Sequence, residues 1–311
     1  MQLDGKRVLV TGGAGFIGTH VTQELVEAGA DVHVIDNMFA GGEAQLPADA
    51  SFTVRDIRSK ELQEDVTEFK PDAIIHLAAL HYIPYCNEHP EDAFTVNVMG
   101  TRNLLRATSA VPNLESILYT SSAAVYPPRE GAMSETSDVG PIDIYGRTKL
   151  IGEDLLRLFA AQADTAAVTA RLFNVYGPND TNPHLIPAIL EQVRDGAETI
   201  ELGNLAPKRD FVYVRDVARA LVTLVSNPQA SYRAFNVGTG STYSVREVVE
   251  CVGTALGKDL DVVQVAERTR ETERPHLEAD IDRIRSETGW TPQTELVEGI
   301  RRQLNQEQIS S

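Results

Sequence analysis

The chain has 311 residues, 42% of them apolar, with 28 Lys plus Arg against 45 Asp plus Glu and a formal net charge of −17. Those values describe a globular chain with a substantial core, and the acidity argues against a nucleic-acid backbone or an anionic membrane surface as partner, since both need a basic footprint. Two cysteines, Cys86 and Cys251, cannot build a disulfide framework; with no apolar run of membrane length and no signal-like start in Met1–Lys6, a reducing, cytoplasmic setting is expected.

In chain order, β-branched runs alternate with helical patterns. Strands are predicted at Arg7–Thr11, Val32–Ile35, Ser51–Val54, Ala73–Leu77, Ser116–Thr120 and Ala167–Phe173. Helices are predicted at Phe16–Glu27, Ser59–Phe69, roughly 91–110 and Tyr145–Ala161. This alternation is the pattern of a doubly wound parallel α/β sheet of the Rossmann kind, assigned to residues 1–175. Beyond about residue 175, Pro and Gly become frequent, and helices near 184–195, 215–226, 245–256 and 294–304 alternate with short strands. A smaller α/β substrate lobe over 176–311 is expected, with some of the chain crossing back to the sheet.

Thr11-Gly12-Gly13-Ala14-Gly15-Phe16-Ile17-Gly18 joins the first strand to the first helix. Gly12 permits the tight turn, Gly15 lets backbone approach a pyrophosphate, and Gly18 lets helix pack on strand, while the N–H groups around Phe16 and Ile17 face the phosphates. A glycine triplet alone is a weak signal; strand before, helix after and an acid closing the next strand strengthen it. That acid is Asp36, followed by Asn37, placed to accept from a ribose diol; its charge opposes a 2′-phosphate and favours NAD over NADP. Asp56 and Ile57 are placed to flank the adenine, and Leu77, Ala78 and Ala79 offer small side chains where a flat cofactor passes, although ordinary strand-end packing accounts for each of these equally well.

Tyr145 and Lys149 stand at i and i+4 on one helix face. A free phenol, with a pKa of about 10, is a poor base at neutral pH, and a neighbouring ammonium lowers it. Taken alone, a packed Tyr beside a surface Lys is the commoner outcome. Ser122, in Thr120–Tyr126, leaves the fifth strand at the carboxyl edge where open sheets place their sites, so its hydroxyl is a candidate to orient a reacting alcohol or a plain turn hydroxyl.

Together with Asn97–Thr101, Arg171–Pro178, Arg209–Asp216 and Phe235–Gly240, these segments resemble the extended short-chain dehydrogenase/reductase family, in its NAD-dependent nucleotide-sugar epimerase/dehydratase branch, over nearly the whole chain. The resemblance implies Tyr145 as catalytic base, Lys149 as its partner and a holder of the nicotinamide ribose, and Ser122 as partner of the substrate hydroxyl. It implies Asn97 as a support of the active-site backbone, Asn174 and Arg209 as diphosphate ligands, Arg270 as a second diphosphate arginine and Glu273 as a holder of the nucleotide ribose. Asp210 is expected to organise its strand. Dehydratases of the branch carry two acids where this chain has Ala123 and Ala124, so oxidation at C4, rotation of the 4-keto sugar and hydride return are the chemistry left: a UDP-sugar 4-epimerase acting on a hexose or hexuronate, with no metal. A dehydratase, a net 4-keto reductase and a catalytically inactive NAD-binding regulator are the alternatives. His81 and Tyr82, in a loop running to Asn87, are expected to line the sugar pocket, and the loop has no Lys or Arg to choose between a C6 hydroxyl and a carboxylate. Cys86 reads as a small buried side chain rather than a nucleophile. Family members pair two long helices across a two-fold axis, so a homodimer is expected.

Overall fold

The computed structural model describes residues 2–40, 45–180, 182–228, 231–269 and 274–309. Its main sheet contains β1 (Arg7–Thr11), β2 (Asp31–Asp36), β3 (Ser51–Val54), β4 (Ala73–His76), β5 (Ser116–Ser122), β7 (Ala166–Leu172) and β11 (Tyr232–Val237), all parallel, in the order β11-β7-β5-β4-β1-β2-β3. Val8, Val10, Ile75 and Leu118 face helices α1 (Phe16–Glu27) and α8 (Val214–Ser226). Leu9, Ile74 and Ile117 face α2 (Leu62–Phe69), α5 (Thr101–Thr108) and α6 (Ile144–Ala160). Both faces are covered, which is why these strands read as continuous apolar runs rather than as alternating ones.

The strand order reverses between β1 and β4, and the crevice lies beyond their carboxyl ends. A second sheet closes the far side of that crevice. It contains β6 (Ala132–Met133), β8 (Asn174–Tyr176), β10 (Lys208–Tyr213), β12 (Thr242–Ser244) and β14 (His276–Ala279), with β10 at its centre. Phe173 alone separates β7 in the first sheet from β8 in the second. Helices α7 (Leu185–Arg194), α9 (Val245–Leu256) and α11 (Leu296–Ile309) and the pair β9 (Thr199–Leu202) and β13 (Asp261–Gln264) complete this side, and α10 (Asp282–Thr288) packs by β11.

Two elements differ from their sequence reading. The helix expected at 91–110 is α4 (Pro90–Phe94), a widened π turn at Thr95–Gly100, and α5. The π turn swings Asn97 inward, where its amide is fully engaged: Oδ1 accepts from Leu80 N at 2.8 Å, and Nδ2 donates to Leu80 O at 2.9 Å and Thr148 Oγ1 at 3.0 Å. The loop expected from His81 to Asn87 contains a short helix, α3 (Ile83–Glu88), which packs against α6 and buries Cys86.

Candidate active site

The crevice is a cleft of about 990 Å³ that runs from the glycine turn to the second sheet. At the turn, Gly12 has φ +74°, and a Cβ there would stand 2.5 Å from Ala78 N and 2.7 Å from Ala78 Cα. The β1 and β4 turns therefore touch backbone to backbone, which explains the small residues at 77–79. At Gly18 a Cβ would overlap Gly12 O and lie 2.6 Å from Gly13 Cα. At Gly15 it would meet only Gly12 O, at 3.4 Å, so this glycine keeps the floor of the cleft open. No side chain caps the N-terminus of α1, and its free N–H groups open toward the cleft at Phe16 and Ile17. Beyond, the Asp36 carboxylate is fixed by Ala14 N at 3.1 Å and Met38 N at 2.8 Å. Asn37 donates to Asp56, whose carboxyl is held below its usual pKa chiefly by Arg58, and Ile57 packs behind Gly100. An uncapped helix start, a floor without Cβ and a fixed acid at the end of β2 together fit a dinucleotide.

Further along, the end of β5 meets the start of α6. Asp143 caps α6, its Oδ1 accepting from Gly146 N at 2.7 Å, a contact typically contributing about 1 kcal/mol. Gly146 is required here because a Cβ would overlap Ala124 O. This packing sets Tyr145 beside Ser122, whose hydroxyl also accepts from Ala124 N at 3.1 Å. Lys149 is buried, its Nζ donating to Thr120 O at 2.8 Å and lying 5.8 Å from the Tyr145 ring centroid. Burial raises Tyr145 above the usual tyrosine pKa, opposed by the Ser122 hydrogen bond, and burial pushes Lys149 down to about 7. Cys86 behaves as expected of a buried thiol, pushed up to about 11 by desolvation.

At the other end, His81, Tyr82, Asn174 and Arg209 all line the cleft. Arg209 Nη1 donates to Lys208 O at 2.9 Å, and Asp210 is buried, accepting from Thr239 and Gly240 and so tying β10 to the turn after β11. Arg270 and Glu273 lie outside the described residues. Besides Asp143, the polar side chains of Asp180, Asn182, His184 and Arg274 line the cleft and were not among the candidates read from the sequence. Asn182 Nδ2 lies 3.1 Å from His81 Nε2, and His184 Nδ1 lies 2.8 Å from Asp180 Oδ2, with the His81 and His184 rings 6.0 Å apart. The fourth is Arg274, with 9% of its surface exposed. Only Asp143 had a local signal available, as a cap before a helical run; the others arrive from distant segments. The groups of the cleft can hold a dinucleotide along one half, a phosphorylated ligand along the other, and move a proton between them.

The model of the NAD dependent epimerase/dehydratase family matches residues 8–238. The chain is 33% identical to UDP-glucose 4-epimerase of Streptomyces lividans, over 92% of this chain and 91% of that protein. Among solved structures it is similar to UDP-glucose 4-epimerase of Thermus thermophilus in complex with NAD, with a TM-score of 0.88, 31% identity, and 98% of this chain and 100% of that one covered. It is also similar to MoeE5 in complex with UDP-glucuronic acid and NAD, with a TM-score of 0.87, 32% identity, and 98% and 100% covered.

Proposed function

Because the chain belongs to the NAD-dependent epimerase/dehydratase family, we propose that it inverts C4 of a UDP-linked hexose or hexuronate, with Tyr145 as general base. The observation that carries this reading is the pairing of Tyr145 with Ser122 in the cleft while the adjoining positions 123 and 124 present only methyl groups. Without an acid at these positions, that strand end offers no carboxyl to protonate a leaving C6 hydroxyl.

Gly12, Gly15, the N–H groups of Phe16 and Ile17, Asp36, Asn37, Asp56, Ile57 and Leu77–Ala79 would hold NAD, with Asn97 supporting the backbone at Leu80 and Lys149 closing the site from α6. When bound, oxidised NAD supplies a cationic ring that favours the phenolate and takes up, then returns, the hydride of sugar C4. Ser122 orients the C4 hydroxyl, and Tyr145 removes its proton as the carbonyl forms. Asn174 and Arg209 hold the diphosphate, with Arg270 as a second diphosphate arginine and Glu273 as a holder of the nucleotide ribose by the family resemblance, so the 4-keto ring can turn about its link to the phosphate and present its other face. Tyr145 then gives the proton back, and the cycle has no net redox change. His81 and Tyr82, backed by Asn182 and His184, bound the space in which the ring turns. Exposed Phe94, Met99 and Leu158 on the outer faces of the helical segments at 90–108 and 144–160 support a homodimer paired through them, checked by light scattering on the eluted protein.

The test is a panel of UDP-glucose, UDP-galactose, their N-acetyl forms, UDP-glucuronate and GDP-mannose, with product stereochemistry read by NMR. A C4 epimer should form without consumption of added NADH. Net dehydration or NADH consumption would reassign the reaction to a dehydratase or a reductase. Tyr145→Phe should lower turnover by roughly a thousandfold or more while bound NAD is retained; wild-type rates in this variant would refute the assigned base.

A further inference from the structure

The two halves of the reacting constellation belong to segments distant in sequence: Ser122 closes β5, and Tyr145 opens α6. One side chain from a third segment bridges them. Arg274 precedes β14, and its guanidinium fork reaches Asp143 Oδ2 at 3.0 Å through Nη1 and Ala124 O at 3.0 Å through Nη2, with Nε 3.5 Å from Tyr126 O. Both charges of the Arg274–Asp143 pair are nearly dry, with 10% and 9% of the side chains exposed. The other oxygen of Asp143 caps α6 at Gly146, and Gly146 packs directly on Ala124. The next residue, Pro275, accepts from Lys208 N at 2.9 Å, adjacent to Arg209.

We propose that Arg274 is a positioning residue for the reaction: it locks the strand end that carries Ser122 to the helix start that carries Tyr145 and neutralises the acid that caps that helix. A lysine holds one partner at a time, whereas the guanidinium fork engages a carboxylate and two carbonyls from one place. The inference rests on the reading of Tyr145 as base.

Its electrostatic consequence concerns the phenol. Facing Tyr145 and its neighbour Lys149 are Ser122 and Tyr119 from β5, Cys86 from α3, His76 from β4, His81 from the loop after β4, Glu153 on α6 and Asp143 at its cap, and Arg274 through Asp143. Asp143 raises the phenol pKa, and Arg274 is the cation that hydrogen-bonds to it. Removing Arg274 leaves Asp143 uncompensated, so the base needs a higher pH to ionise.

The experiment compares the wild type with Arg274→Met, Arg274→Lys, Asp143→Asn and the Met/Asn double variant, measuring kcat, KM for the UDP-sugar found in the panel, bound NAD and the pH profile of kcat/KM. Arg274→Met should lower kcat by roughly thirtyfold with KM within about threefold, since the loss falls on geometry reached in the transition state. Its acid limb should move up by about half a pH unit or more, and the double variant should bring the limb back toward the wild type. Arg274→Lys should recover part of kcat. Asp143→Asn keeps the cap oxygen and should move the limb down. An unchanged limb and kcat in Arg274→Met, or a loss confined to KM, overturns the proposal. If Arg274→Met does not fold, Asp143→Asn decides, and a limb that stays in place overturns it. Tyr145→Phe separates the two readings: if it retains turnover the base assignment fails, and if it is inactive while the other limbs stay fixed only the role of Arg274 fails.

Discussion

Asp36 is held by two backbone amides, Ala14 N and Met38 N, so its carboxylate is fixed before any ligand arrives. A preset acceptor loses little freedom on binding, and a charge-assisted hydrogen bond contributes about 1.5–3 kcal/mol. Asp36→Asn keeps an oxygen for one amide but removes the charge. It should weaken NAD about tenfold and narrow the preference over NADP by at least as much, read by equilibrium titration with both dinucleotides. The phenol and amine are tuned the other way. Burial raises Tyr145 and pushes Lys149 down to about 7, so in the protein alone the neutral pair is favoured over phenolate and ammonium.

Gly18 shows how an element depends on a missing atom. A Cβ there would overlap Gly12 O and press on Gly13 Cα, and these are backbone atoms that cannot rotate away. Gly18→Ala should cost about 2–3 kcal/mol and release the dinucleotide, measured by denaturant unfolding and by the NAD content of the purified protein. This turn was legible in the sequence because its rules are local: three glycines at fixed spacing between a strand and a helix, and Tyr145 and Lys149 one helical turn apart. The π turn at Thr95–Gly100 was not legible, since Thr-Val-Asn-Val-Met-Gly carries no breaker and its widening serves the remote partners of Asn97, Leu80 and Thr148. Nor was α3, whose six residues hold too little periodicity to separate from a loop. Arg274, Asn182 and His184 enter the cleft only because β14 and the segment before α7 fold back over it, and no neighbour in the sequence announces that. Spacing placed Lys149 near Tyr145 but carried no sign of the desolvation that raises the phenol and lowers the amine.

Across the whole molecule, a buried polar network ties the main sheet to α6 and the second sheet. Glu153 accepts from Arg171 at 2.7 and 2.9 Å and from Ser121 Oγ at 2.6 Å; Arg171 donates to Tyr126 Oη at 2.9 Å, and Tyr126 donates to Asn236 Oδ1 at 2.7 Å. Asn236 in turn donates to Met133 O of β6 at 2.7 Å, so β5, β7 and β11 reach the second sheet through one chain of bonds. Breaking a dry ion pair by removing one charge leaves the other stranded, so Glu153→Gln should destabilise by about 3–5 kcal/mol, seen as a lowered Tm.

β11 brings Tyr232–Val237 back to the edge of the main sheet, where all six residues pair with β7. Until Val237 has left the ribosome, the nascent chain holds β7, seven buried residues long, with a bare flank. Such a flank is a template for wrong partners. The N-terminal half should therefore depend on chaperones during synthesis, and polypeptides ending near residue 175 should be recovered as aggregates.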